Sequence, residues 1–178
     1  DPARFADLAA LDRLASEVSA GKGEPFYLDE IYALNLADLT AFALKLGVTF
    51  EGAPARRLLL SKIFAYAAEN KREIRDRGWI DLTDRGEHGF IVHEHVNYRL
   101  YPEDAYLPES LIRCYGLKRG HQVDVLVRAP EANEHSPVVL RINTVMGLKP
   151  DAIEKITPFE ELVPYNPLKR ILLEATEI

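Results

Sequence analysis

The pattern of apolar positions between Gly78 and Pro150 favours short strands. In QVDVLVR, Val123, Val125 and Val127 occupy every second position, the spacing of a strand with one buried face. Four further segments are rich in β-branched or aromatic residues and are bounded by Gly, Pro, Asp or Asn. The predicted strands are Trp79–Leu82, Gly89–His93, Ala105–Leu107, Gln122–Arg128 and Pro137–Val145.

One short helix interrupts this pattern, in the segment PESLIRCYG. Pro108 can open the helix, Glu109 suits its first turn, and Gly116 can end it. Five short strands with one small helix favour a closed barrel of the oligonucleotide/oligosaccharide-binding (OB) type, similar to cold-shock domains.

The first part of the chain has helical spacing instead. Apolar residues recur at every third or fourth position over Asp1–Ala20, which predicts either an amphipathic docking helix or a helix that covers a neighbouring core. Leu28–Lys45 predicts two helices broken near Asn35 and ended by Gly47, and Pro54 begins a helix that runs to about Glu69. The residues expected to face inward on that helix are Leu58, Leu59, Ile63, Tyr66 and Ala67.

The segments at either side of the barrel are less regular. Glu69–Gly78 contains both acidic and basic residues, which favours a solvated helix end. Alternatively, its basic side chains contact phosphate: Lys71, Arg72, Arg75 and Arg77. The last segment predicts an extended connector with a final strand, Arg170–Ala175. The fold class is therefore α+β: a helix and linker over 1–24, a helical subdomain over 25–77, the OB barrel over 78–150 and a connector over 151–178.

Composition adds little to this picture. The 178 residues are 47% hydrophobic and 28% charged, which is ordinary for a soluble globular protein. No apolar run approaches the ~20 residues needed to cross a bilayer, and no signal peptide is visible. Cys114 is the one cysteine, so an internal disulfide is excluded and a reducing cytoplasm is expected.

The charge of the chain bears on how it could bind nucleic acid. The net charge is −6, and residues 78–150 hold 10 acidic against 8 basic side chains. Proteins that bind nucleic acid without reading its sequence gain affinity mainly by neutralising phosphates. If this barrel binds RNA, base stacking and polar recognition must contribute more than attraction to the backbone.

Three stretches of the barrel region carry a family resemblance: RGEHGFIV, PEDAYLPESLIRCYGLKRGH and EHSPVVLRINTV. They resemble the RNA-binding region of transcription termination factor Rho, with its D-G-F-G-F strand, its P-D-D-I-Y-V-S-P-S-Q-I-R-R-F segment and its x-L-R-T-G-D segment. The resemblance extends back through LNLADLTAFALKLGV and forward to ITPFEELVPYNPLKRILLE, covering roughly Leu28 to Glu174.

The resemblance implies a set of RNA-binding residues. Phe90 and Tyr106 match aromatic positions that stack on bases, and His88 stands at a third. Asp104 and Glu134 match acids that accept a hydrogen bond from the amino group of cytosine. The alternatives are that both rings belong to the core and that both acids are solvated loop residues.

The sequence also departs from the family pattern. Val92 replaces an arginine, and His135 with Ser136 replaces an Arg-Tyr pair, which removes cations and a ring and puts affinity and base preference in question. Five basic side chains are expected to contact the RNA backbone: Arg113, Lys118, Arg119, Arg128 and Arg141. The alternative for each is a surface charge without a ligand.

No sequence feature supports catalysis. His93-Glu94-His95 is not the H-E-x-x-H pattern and has no further ligands nearby, so we expect no metal. The sequence contains no G-x-x-x-x-G-K-[ST] phosphate loop. We therefore expect neither enzyme activity nor a cofactor in this chain; ATP and magnesium would belong to the motor domain of a Rho-type parent.

The resemblance implies a function in transcription termination. The expected partner is single-stranded, pyrimidine-rich (C-rich) RNA, and no membrane contact is expected. In a full-length parent the resemblance adds a hexameric, ATP-dependent helicase that acts on RNA polymerase. A free-standing RNA- or protein-binding module without a motor is the alternative.

Overall fold

The structure, a computed structural model, describes residue 5, residues 7–131 and residues 134–155. Most of the predicted connector, including the strand Arg170–Ala175, lies outside the described residues. The described part of the connector belongs to a short 3-10 helix, Pro150–Lys155.

Five α-helices and six strands follow one another along the described chain. The helices are α1 (Leu8–Val18), α2 (Leu28–Ala33), α3 (Leu36–Lys45), α4 (Arg56–Glu69) and α5 (Glu109–Cys114). The strands are β1 (Phe26–Tyr27), β2 (Ile74–Leu82), β3 (Gly89–Val92), β4 (Ala105–Leu107), β5 (Gln122–Arg128) and β6 (Val138–Val145). Every helix in the described part of the chain is too short or too polar to cross a membrane.

Helix α1 covers the barrel. It starts later than predicted, at Leu8, because the Asp7 side chain caps it by accepting a hydrogen bond from the amide of Ala9 at 3.0 Å. Leu11 and Ala15 are buried, and the helix packs against β5 and β6. Of the two interpretations of this helix, the structure favours the one in which it covers a neighbouring core.

The predicted break between α2 and α3 is confirmed at Asn35. Its side-chain oxygen accepts a hydrogen bond from the amide of Asp38 at 2.9 Å, which is the geometry of an N-cap. Beyond α3, Gly47 has a φ of +80°, a left-handed conformation that favours glycine.

Helix α4 buries a slightly different face from the predicted one. Leu59, Ile63 and Ala67 are buried as expected, and Leu60 and Phe64 join them. Leu58 is 43% exposed, so its predicted inward position is wrong. The physical reason is the helical period, which places Leu58 on the same face as positions 62 and 65, away from the core.

The strands β2 to β6 close into a five-stranded barrel. Strand β2 pairs antiparallel with β3, β3 with β4, and β5 with β6, while β4 runs parallel to β6. Antiparallel pairing of β2 with β5 closes the ring, and α5 lies between β4 and β5 in sequence. The predicted α+β fold with an OB-type barrel is confirmed.

Two features of the barrel differ from prediction. Strand β2 begins at Ile74 instead of Trp79, so Glu69–Gly78 is not simply a solvated helix end. The strand was hidden because its inward positions include Asp76 and Gly78, which interrupt the apolar alternation. Strand β1 lies directly after the predicted linker and pairs in parallel with the start of β2.

Gly78 is required by close packing of β2 on β3. A Cβ atom at this position would lie 2.6 Å from the carbonyl oxygen of Val92 and 2.7 Å from Cγ2 of Ile91. A side chain here would therefore push the two strands apart. The predicted boundary between the helical subdomain and the barrel, after Arg77, falls inside this strand.

The orientation of α4 gives a testable difference between neighbouring leucines. Leu59→Ala should lower the free energy of unfolding by about 2–5 kcal/mol, because Leu59 is fully buried. Leu58→Ala removes the same atoms from an exposed position and should change stability by only about 0.5 kcal/mol. Urea unfolding of both variants measures the difference. Equal losses would mean that α4 is rotated from the orientation described.

Candidate nucleic-acid interface

Three of the predicted site residues form a cluster of rings on the outer face of the barrel. Phe90 on β3 lies directly opposite Tyr106 on β4, and opposed residues of paired strands project from the same face. Their ring centroids are 5.9 Å apart, and His88 lies 5.6 Å from Tyr106 and 6.1 Å from Phe90. All three side chains are half-buried, so each ring keeps part of its surface open to solvent.

A shallow cavity of about 280 Å³ lies against two of these rings. Phe90 and Tyr106 form part of its wall, and Glu134 and His135 form another part. The remaining lining residues are Phe5, Ser136 and Val138. The fold therefore brings the predicted stacking rings and one predicted carboxylate to a single site.

The carboxylate of Glu134 is held in place by Arg128. One terminal nitrogen of the guanidinium donates to both carboxylate oxygens, at 2.9 Å to Oε1 and 2.7 Å to Oε2. The amide of Glu131 donates to Oε2 at 3.0 Å. Each carboxylate oxygen has two lone pairs, so Oε1 keeps one acceptor position within the described part of the structure.

Arg128 does not occupy the position expected of a backbone contact. It is only 7% exposed and also pairs with Glu131 at 2.7 Å. Its guanidinium is used within the protein, because a buried charge requires partners. We therefore correct its predicted role: Arg128 positions Glu134.

Asp104 is also placed differently from expectation. It is 3% exposed, and its carboxylate accepts a hydrogen bond from the amide of Tyr101 at 2.7 Å. The other carboxylate oxygen lies 3.5 Å from Nδ1 of His93. Asp104 faces the protein interior, so it is neither a solvated loop acid nor presented to a base beside the rings.

His93 joins two buried carboxylates at the end of the barrel. Its Nε2 lies 2.9 Å from Oδ1 of Asp76, an inward-facing residue of β2, and its other ring nitrogen faces Asp104. The ring of Tyr32 on α2 contacts His93 edge-on at 5.5 Å, and the Tyr32 hydroxyl donates to the carbonyl of Glu103 at 2.7 Å. This cluster connects the helical subdomain to the barrel.

The two carboxylates decide the charge of His93. Burial alone would lower the pKa of His93, but hydrogen bonds and charge from Asp104 and Asp76 outweigh it and raise the pKa to about 10. Burial also raises the pKa of the Asp76 carboxyl, an effect that His93 opposes. His93 is therefore an imidazolium at neutral pH.

The sequence singled out His93 only as part of a doubtful metal motif. In the described part of the chain, no group of three or more His, Cys, Asp or Glu side chains is arranged to hold a metal ion. Asp76 had no local signal at all, because its partner is 17 residues away in sequence. Phe5, which lines the ring cavity, also reaches the site through tertiary packing alone.

Several of the other predicted cations are neutralised by neighbours. Arg113 pairs with Glu109 at 2.6 Å, and Arg119 pairs with Asp81 at 3.0 Å. Lys118 is exposed and Arg141 half-buried, and neither forms an ion pair with a described residue. Of these four cations, Arg113 and Arg119 are therefore paired with a carboxylate in the described part of the chain, and Lys118 and Arg141 are not.

The fold and the site together define a class. A closed five-stranded barrel in the OB arrangement, with rings and a hydrogen-bonding carboxylate on its outer face, is the architecture of domains that bind single-stranded nucleic acid.

Comparison with known proteins narrows this class. Residues 76–151 match the family model described as "Rho termination factor, RNA-binding domain". Transcription termination factor Rho of Aquifex aeolicus is 29% identical over 148 residues, which are 82% of this chain and 34% of that protein. Rho of Fibrobacter succinogenes is 30% identical over 144 residues, which are 81% of this chain and 20% of that protein.

The predicted resemblance to the RNA-binding region of Rho is confirmed, and residues 76–151 are an RNA-binding domain of the Rho type. The chain spans about a third or less of the length of these two relatives.

The His93 cluster predicts how stability depends on pH. The pKa of His93 is about 10 in the folded protein against about 6.5 in an unfolded chain. The stability from this proton is fully present below about pH 6.5 and is lost as the pH rises to about 10. The free energy of unfolding should therefore fall by up to about 1.4 kcal/mol per pH unit between roughly pH 7 and pH 9.

Urea unfolding across this range tests the expectation in three proteins. The fall should be present in the unmodified chain and in His135→Gln, which alters an exposed histidine. It should be absent in His93→Gln, because the variant has no group to titrate. A fall of the same slope in His93→Gln would show that another group is responsible.

Proposed function

We propose that the barrel binds single-stranded, pyrimidine-rich RNA and prefers cytosine. The observation that carries this proposal is the shared site of Phe90, Tyr106 and Glu134, where two open rings border the same cavity as a fixed carboxylate. The description of the matching family model supports RNA as the ligand.

The rings supply affinity. A base that stacks on an exposed aromatic side chain gains ~1–3 kcal/mol, and this gain does not depend on phosphate neutralisation. The Tyr106 ring contacts both His88 and Phe90, so its orientation is restricted before a base arrives. A fixed ring loses less conformational entropy on binding than a mobile one.

Glu134 supplies the base preference. An ionised carboxylate only accepts hydrogen bonds, so it suits the amino group of cytosine and disfavours the carbonyl oxygen at the same position of uracil. The hydrogen bonds from Arg128 fix the carboxylate while leaving Oε1 an acceptor position toward a ligand.

The departures from the family pattern weaken other contacts. Val92 is 3% exposed and apolar, so it supplies no cation beside the rings. The Ser136 hydroxyl donates to the carbonyl of Pro102 at 2.7 Å and anchors the loop to the segment before β4. Binding by this domain therefore rests on stacking and on Glu134 more than on the RNA backbone.

For a longer parent protein we propose the function that the names of the relatives describe, the termination of transcription. This region would capture the transcript in the cytoplasm. A hexameric, ATP-dependent motor would then act on that RNA and release RNA polymerase.

Removal of the rings tests the stacking. Tyr106→Ala and Phe90→Ala should each weaken binding of a short oligo(C) RNA by ~1–3 kcal/mol, roughly five- to more than a hundred-fold. Tyr101→Ala is the matched control, because Tyr101 is 44% exposed and lies outside the ring cavity. Fluorescence anisotropy with labelled RNA measures affinity, and thermal unfolding corrects for the folded fraction. Unchanged affinity per folded molecule would refute the stacking role.

Substitution of the carboxylate tests the base preference. Glu134→Gln should narrow the preference for oligo(C) over oligo(U), because the amide adds a donor where only acceptors stood. Glu131→Gln is the control, since Glu131 also pairs with Arg128 but does not line the ring cavity. Both variants weaken the pairing of a buried guanidinium and should lower stability. A preference that is unchanged in Glu134→Gln, or equally narrowed in both variants, would contradict the assignment.

A further inference from the structure

A second pair of aromatic residues lies on the same outer face of the barrel as the ring cluster. Asp81 of β2 lies opposite Phe90 of β3. Two residues away on each strand, Trp79 of β2 lies opposite Val92 of β3. Residues two apart in a strand point to the same side, and opposed residues share a face. Trp79 therefore projects from the face that carries Phe90 and Tyr106.

Trp79 is held by Tyr98, which lies two residues after a short 3-10 helix, Glu94–Val96, that follows β3. The two rings meet edge to face with centroids 5.3 Å apart and planes at 87°. Asn97 and Tyr98 both have positive φ angles, 55° and 57°, and the amide of Tyr98 donates to the carbonyl of His93 at 3.0 Å. This turn fixes Tyr98, which is 48% exposed, beside the half-buried indole.

The surface next to Trp79 has room and hydrogen-bonding groups for a flat ligand. A cavity of about 570 Å³ is lined by Trp79 together with Asp29, Arg77, His93, Glu94, His95 and Gln122. Gln122 lies directly opposite Trp79 on β5, and its exposed amide can both donate and accept. Oδ1 of Asp29 is buried and has no hydrogen-bond partner among the described residues.

The charge of this cavity indicates which part of a nucleotide it suits. Arg77 is paired with Asp29 at 3.0 Å and with Glu30 at 2.5 Å, so its charge is neutralised. Glu94 adds an exposed carboxylate. Phosphate would meet no net positive charge here, whereas an uncharged base would find a ring face and hydrogen-bonding side chains.

We infer that Trp79 and Tyr98 form a second base-stacking site, which takes a base of the same single-stranded RNA further along the strand. The inference rests on the proposed function of the ring cluster. Diagonal neighbours on adjacent strands lie about 7–8 Å apart, so the two sites are within reach of one short oligonucleotide. An OB fold typically covers about 4–16 nucleotides, which is more than one stacking site holds.

Trp79 is the one tryptophan of the chain and reports directly on this site. Fluorescein-labelled cytidine oligomers of two and of about six nucleotides are titrated by anisotropy, and intrinsic fluorescence is recorded with unlabelled oligomers. The longer RNA should quench Trp79 and bind more tightly than the dinucleotide. Trp79→Ala should weaken the longer RNA by about five-fold or more while leaving the dinucleotide unchanged.

Three further variants separate the inference from the proposed function. Trp79→Phe keeps a ring and should restore most of the affinity for the longer RNA, and Tyr98→Ala should reproduce part of the loss. Tyr106→Ala should weaken both RNAs, because it removes the first site. Thermal unfolding of each variant shows whether it is folded.

The outcomes are distinguishable. Equal affinity for the two RNAs, with unchanged Trp79 emission and dinucleotide binding still sensitive to Tyr106→Ala, would overturn the second site and leave the proposed function intact. If neither RNA binds the folded chain, both the proposed function and the inference are wrong.

Discussion

The fold depends on one strand, β2, that pairs with three others. Its first six residues pair with β5, its last four pair with β3, and β1 adds a parallel edge at its start. Trp79 pairs on both sides, where β2 passes from one partner to the other. This double pairing closes the barrel, so the backbone groups of β2 are satisfied within the sheet. Closure also separates an inner face, with Ile74 and Ile80 in the core, from an outer face that is left for ligands.

The inner face of β2 also carries Asp76 into the buried cluster with His93 and Asp104. Burial of charged groups is costly, and breaking such a cluster by removing one partner leaves an unpaired charge. His93 lies between two carboxylates, and Oδ2 of Asp76 has no hydrogen-bond partner in the described structure, so the burial of the Asp76 carboxylate is only partly compensated. The cluster also holds in place the segment that leads into β4. Asp104 precedes β4 directly, and Tyr106 is the second residue of that strand.

Three arginines of the barrel region form ion pairs within the protein. Arg128, Arg77 and Arg119 are all paired with carboxylates, so their charges serve the fold first. What the outer face offers is ring surface and a carboxylate held at a fixed angle. A ring surface suits bases through stacking, and a carboxylate that only accepts hydrogen bonds suits an amino group, which is the basis of the proposed function.

The elements with local signals could be predicted from the amino-acid sequence. Four of the five barrel strands lie within one residue of their predicted bounds, and the cap at Asn35 and the small helix before β5 are where their residues indicated. The family resemblance also indicated Phe90, Tyr106 and Glu134, which the fold brings to one cavity. Only the tertiary structure decided which charged residues are buried. Asp76, Asp104 and Arg128 look like solvated charges in sequence, because a local pattern reports which neighbours are apolar and not which distant side chain compensates a charge. The second ring pair, Trp79 and Tyr98, depends likewise on the register between β2 and β3 and on the turn after β3, which only the folded chain fixes.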